Sequence, residues 1–120
     1  MTKAVFDTQI NDNGTWEMTM VVTGHACYDN TGKDIVCSAC SILTQALAAS
    51  LMMICRPEHA PLVFTHDEEK AEATVWYMAE DLPDAEHAKH LFEMAHTGFV
   101  MLEEAYPENV CVAGAPEKLH

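Results

Sequence analysis

The sequence predicts an α+β fold. Two β-hairpins form a mostly antiparallel sheet and two main helices cover it, in the order ββαββα with room for a final short strand. Three observations lead there. An alternating stretch follows an Asn-Gly turn near the N-terminus. A stripe of apolar residues at helical spacing runs between positions 35 and 54. A second pair of strand-like segments then leads into a second long helical segment.

The first strand is expected over Ala4–Ile10, ending at the turn Asn11-Asp12-Asn13-Gly14. The second runs over Thr15–Thr23. Trp16, Met18, Met20 and Val22 face one way, and Glu17, Thr19, Val21 and Thr23 the other. Gly24 to Lys33 reads as a loop, rich in turn formers and free of apolar periodicity. Asp34 has the character of a helix N-cap. The helix it starts should reach Ile54 and stop before Arg56-Pro57, with Val36, Cys40, Leu43, Leu47, Leu51 and Ile54 as its core stripe. Leu62–Thr65 and Ala71–Met78 are the third and fourth strands, joined by the polar turn His66 to Lys70. Leu82-Pro83-Asp84 opens the second helix, with Asp84 expected as its cap, and Tyr106-Pro107 closes it after Ala105. Val110-Cys111-Val112 suits a last short strand. Residues 1–113 are expected to form a single domain and 114–120 a frayed tail.

The chain has 120 residues, enough for one modest core. Its formal net charge is −13, with six Lys and Arg against nineteen Asp and Glu. Phosphate binding needs clustered positive charge, so direct nucleic acid binding is not expected. A basic substrate suits the charge, although acidity also serves solubility alone. The N-terminus carries no apolar stretch behind a basic end, so no secretion signal is expected. Five cysteines, an odd count, then argue for reduced thiols in the cytoplasm. The apolar run from Ile35 to Ile54 is long enough to span a bilayer, but it contains Ser38, Ser41, Thr44, Gln45 and Ser50. It reads as a buried helix, and no membrane association is expected.

Two residues stand out for chemistry. Cys37 falls in the first turn after Asp34, where unpaired backbone N–H groups favour a thiolate. His25 falls where a strand gives way to the loop, and Gly24 allows the chain to turn sharply before it. An imidazole beside that sulfur can take its proton and later return one to a leaving amine. The helix-start amides can help hold an oxyanion. Each signal alone has a plainer reading. A cysteine near a helix start is usually structural, and a histidine after a strand is usually polar surface.

Together, however, Gly24-His25-Ala26 and Asp34-Ile35-Val36-Cys37-Ser38-Ala39-Cys40-Ser41 resemble the ribosomal-processing cysteine proteases, the Prp family. The closing stretch Glu104-Ala105-Tyr106-Pro107-Glu108-Asn109-Val110 resembles them too. The resemblance implies a hydrolase with His25 and Cys37 as its catalytic dyad. Asp34, Gly24 and Ser38 would support it, and no metal or other cofactor is needed. It implies a cytoplasmic homodimer whose loop over Ala26–Lys33 closes on the substrate. That substrate would be the N-terminal extension of a basic large-subunit ribosomal protein of the bL27 type. Cys40 and Cys27 depart from the family pattern.

Those two cysteines leave rival readings. His25, Cys27, Cys37 and Cys40 are four zinc-competent ligands, and Cys37 with Cys40 forms the C-x-x-C of a thiol-redox protein. Against both, the pair lies in a helix that follows a hairpin, and Cys40 falls on the apolar stripe. A Met-rich and aromatic binding surface is a further alternative, with core packing the plainer account. His87 and His90 share a helix without a convergent ligand and read as surface.

Overall fold

The structure is a computed structural model and describes residues 1–29, 34–55 and 62–114. Gly14, at φ +85, lets the chain reverse after Asn11. The Asn13 side-chain oxygen accepts from the Thr15 N–H (3.1 Å) and hydroxyl (2.7 Å) and closes the turn. Strands β1 (Thr2–Ile10) and β2 (Trp16–Thr23) then pair antiparallel, from Ile10 opposite Trp16 to Lys3 opposite Thr23. A second hairpin joins β3 (Leu62–Asp67) to β4 (Glu72–Ala79), and β4 docks antiparallel on β2. The last strand, β5 (Val110–Ala113), runs parallel to β1. The sheet order is β3-β4-β2-β1-β5. The expected α+β architecture is therefore present, with one parallel edge that makes the sheet mixed.

Strand alternation builds the core as the sequence implies. Phe6 of β1, Met18, Met20 and Val22 of β2, and Val75 and Tyr77 of β4 are all buried. On the opposite face the Trp76 indole N–H donates to Glu17 (3.1 Å). Helix α1 (Ile35–Ile54) buries Val36, Cys40, Thr44, Leu47, Ala48 and Leu51. It is long and apolar enough to cross a membrane by length and composition, yet this face belongs to the core cluster. Two members of the expected stripe differ. Leu43 is partly buried and packs at Gly98, where an added Cβ would come 2.6 Å from a Leu43 methyl. Ile54 is 55% exposed. The chain leaves the helix at Cys55, whose N–H still bonds the Leu51 carbonyl, and Cys55 is buried in its stead. The expected stop at Arg56-Pro57 lies outside the described residues.

Helix α2 (Leu82–Ala105) corrects another expectation. Its N-cap is Asp81, not Asp84. The Asp81 carboxylate accepts the Asp84 N–H (3.0 Å), so Asp84 is the capped residue rather than the cap. Asp84 is itself buried and accepts from the Tyr77 hydroxyl at 2.5 Å. Its second carboxylate oxygen is buried with no partner among the described residues. α2 contributes Phe92 and Phe99 to the core. The strand bounds also shift. β1 begins at Thr2, β3 reaches Asp67, and β4 spans Glu72–Ala79. β5 extends through Ala113, and of the expected frayed tail only Gly114 lies within the described residues.

Candidate active site

β2 ends at a position only glycine fills well. Gly24 has φ +85, and a Cβ there would lie 2.3 Å from the Met1 carbonyl oxygen. Its N–H donates to the Ala71 carbonyl (2.8 Å), and its own carbonyl accepts from the Thr2 hydroxyl (3.1 Å). The chain then turns across the end of the sheet. His25 is exposed and Ala26 is buried. Cys27 is exposed and takes φ +57, a left-handed conformation rare outside glycine. The Tyr28 ring meets Tyr106 edge-on, with centroids 5.1 Å apart.

Asp34 holds this loop against the start of α1. One carboxylate oxygen accepts the Cys37 N–H (2.9 Å), as a cap should. The other accepts the N–H groups of Tyr28 (2.9 Å) and Asp29 (3.2 Å). Burial pushes the Asp34 carboxyl up. The backbone N–H groups of Cys37, Asp29, Tyr28 and Val36 outweigh this together and hold it below its usual value of 3.8. Asp34 therefore does more than cap, because it ties the two flanks of the loop together.

Cys37 is half-buried, and its sulfur accepts the Ala26 N–H at 3.5 Å. The donor that faces the sulfur thus comes from the loop after His25. Of the helix-start amides expected to help hold an oxyanion, that of Cys37 is already taken by Asp34. Among the described residues no hydrogen bond joins His25 to Cys37. Both nevertheless line one cleft of about 650 Å³, which Gly24 also lines. Phe64 and His66 of β3, Glu72 of β4, and Ser41, Thr44 and Gln45 of α1 line it as well. Ser38 does not line the cleft. Its hydroxyl donates to the Asp34 carbonyl (3.1 Å) and so braces the first helical turn.

Two other thiols are buried. Cys40 is buried, and desolvation, with Cys37 and Asp34 adding to it, pushes its thiol up to about 12. That environment opposes the thiolate that both metal binding and disulfide exchange require. Burial likewise raises Cys55 to about 11. Among the described residues no three His, Cys, Asp or Glu side chains are grouped to hold a metal ion. One neighbour carried no expected role. The Asn109 carboxamide donates to the Ala26 carbonyl (2.8 Å) from the segment after α2. Its one sequence signal is membership of the closing stretch Glu104–Val110.

The sequence profile of the cysteine protease Prp matches residues 1–111. The chain belongs to the Prp family of cysteine proteases. No curated protein matches it by sequence. Two similar folds are crystal structures of an essential ribosomal processing protease Prp from S. aureus. The one with a covalently linked product peptide has 18% identity and a TM-score of 0.73, covering 94% of this chain and 98% of that one. The one with a substrate peptide has 19% identity and a TM-score of 0.67, covering 93% and 97%. The crystal structure of SMU.848 from Streptococcus mutans has 27% identity and a TM-score of 0.66, covering 98% and 96%. As a Prp-family member, the chain is a cysteine protease.

Proposed function

We propose that this Prp-family protease cuts one peptide bond with Cys37 as nucleophile and His25 as base and acid. The observation that carries this reading is the return of the His25 loop onto the first turn of α1, with the Ala26 N–H on the Cys37 sulfur. His25 takes the thiol proton, and the thiolate attacks the carbonyl carbon. The tetrahedral intermediate collapses to an acyl-thioester as the amine leaves with a proton from His25. Water, deprotonated by His25, then attacks the thioester. The acid product leaves and the thiol is restored. Gly24 supplies the turn, while Asp34 and Ser38 hold the helix start.

The substrate in this reading is the N-terminal extension of a basic large-subunit ribosomal protein of the bL27 type. The S. aureus relative is a ribosomal processing protease, crystallised with a substrate peptide and with a covalently linked product peptide. Here the net charge of −13 attracts a basic partner. Phe64 and Glu72 in the cleft wall suit apolar and basic side chains. Such a substrate belongs to the cytoplasm. The enzyme acts as a homodimer, and the outward line of Ile35, Ile42 and Met53 on α1 (59%, 62% and 83% exposed) is the face it offers.

The test is peptide cleavage read by mass spectrometry, with reductant and chelator present. The peptide spans the N-terminal extension of the same organism's ribosomal protein. Wild type should make a single cut. Cys37→Ala and His25→Ala should make none while staying folded, and Cys40→Ala should keep much of the activity. Robust turnover by His25→Ala would sink the dyad.

A further inference from the structure

The geometry points to Asn109 as a positioning residue that keeps the Ala26 N–H aimed at the Cys37 sulfur. This inference rests on Cys37 being the reactive thiol. Residue 26 is held at three points. Its N–H meets the Cys37 sulfur at 3.5 Å, its methyl is buried, and its carbonyl accepts from Asn109 at 2.8 Å. The partner lies 83 residues away in sequence, so no local turn supplies this contact.

Asn109 is itself well anchored. Its N–H donates to the Tyr106 carbonyl (2.9 Å), and its carbonyl accepts the Thr2 N–H (2.8 Å) at the start of β1. Thr2 in turn holds the Gly24 carbonyl through its hydroxyl. Asn109 and Thr2 therefore grip the chain on both sides of His25.

The need for such a grip is visible one residue on. Cys27 sits at φ +57, a conformation that persists only when its surroundings impose it. Asn109 holds the chain before Cys27, and Asp34 holds it after, through the N–H groups of Tyr28 and Asp29. If the Asn109 contact is removed, the peptide after Ala26 is free to rotate and Cys27 can relax toward negative φ. With its carbonyl released, residue 26 can also shift as a whole and carry its N–H off the sulfur. A thiolate is stabilised by an N–H donor more than a thiol is, so losing the donor favours the protonated sulfur.

The test is alkylation of the full chain by iodoacetamide across a pH series, with Cys37 followed at the peptide level by mass spectrometry. Asn109→Asp keeps the shape of the side chain but replaces the donor with an acceptor. It should slow Cys37 alkylation at neutral pH about tenfold, the order expected for losing one hydrogen bond to a charged atom. Its rate profile should move to higher pH. Asn109→Ala should do the same, and Asn109→Gln should recover part of the loss. A merely structural role would lower the melting temperature and leave the profile where it was. An unmoved profile in a folded variant overturns the inference.

Should the variants not fold, proton resonances of the unmutated protein decide. The Ala26 amide and the Asn109 carboxamide should shift together as Cys37 ionises. A shift of Ala26 alone rejects the proposal. Alkylation needs no substrate. Expected profiles without any peptide cleavage would therefore end the protease assignment of Cys37 and leave the Asn109 link standing.

Discussion

Gly24 shows how one missing atom shapes the site. A Cβ there would meet the Met1 carbonyl oxygen at 2.3 Å, and the backbone is at φ +85. Both obstacles are backbone, so no side chain can move aside to relieve them. Gly24→Ala should destabilise the protein by about 2 kcal/mol or more, since left-handed strain and a steric clash add. Peptide cleavage should fall with it, because the displaced segment carries His25. Urea denaturation and the cleavage assay measure the two effects, and an alanine variant with full stability would show that the strand end can shift freely. Gly24, Asp34 and Cys37 were legible in the sequence because their signals are local: a turn former, a cap, and a thiol three residues after the cap. Asn109 was not. Nothing near position 109 hints that its side chain meets residue 26, because only the completed sheet brings them together.

Each helix start tests how far a local signal reaches. For α1 the cap was legible, since Asp34 directly precedes the apolar stripe. For α2 two aspartates flank Leu82-Pro83, and either can be taken for the cap. The choice is made by β4. Tyr77 is wholly buried and its hydroxyl needs a partner, which Asp84 provides from the first turn of the helix. Asp81 is left to cap. The contacts of the two aspartates should therefore respond differently when each is removed. Asp81→Ala should cost about 1 kcal/mol, as for loss of an ordinary cap. Tyr77→Phe should cost about 1–3 kcal/mol, because it strips the buried Asp84 carboxylate of its hydroxyl donor. Denaturation of both variants checks the order, and a larger loss for Asp81→Ala would reverse the assignment.

For the molecule as a whole, acid tolerance should depend on Asp34. Its folded carboxyl titrates below its usual value of 3.8, so the folded state binds that proton less readily than the unfolded chain does. The stabilisation is complete above the unfolded value. It is lost as pH falls through that value and the lower folded one. Denaturant titrations of wild type and Asp34→Asn should therefore differ most near neutral pH and converge in strong acid. A constant difference would mean that the charge of Asp34 contributes nothing. The α+β class and element order were legible because alternation, capping and turn residues all agreed. The parallel pairing of β5 with β1 was not, because strand direction at the sheet edge depends on the path of α2 across the molecule. Nor did the helical stripe show that Ile54 would be left outside the core.

The grip of Asn109 on Ala26 also sets a schedule for the growing chain. Synthesis runs from the N-terminus, so the first hairpin, the His25 loop and Cys37 all leave the ribosome before Asn109 does. Until then the peptide after Ala26 lacks its hydrogen bond, and β1 lacks its parallel neighbour. A nascent or truncated chain that ends before Tyr106 carries both residues of the proposed dyad without the Asn109 contact to Ala26. In the proposed mechanism the reactive thiol is thus completed only after α2 has been made.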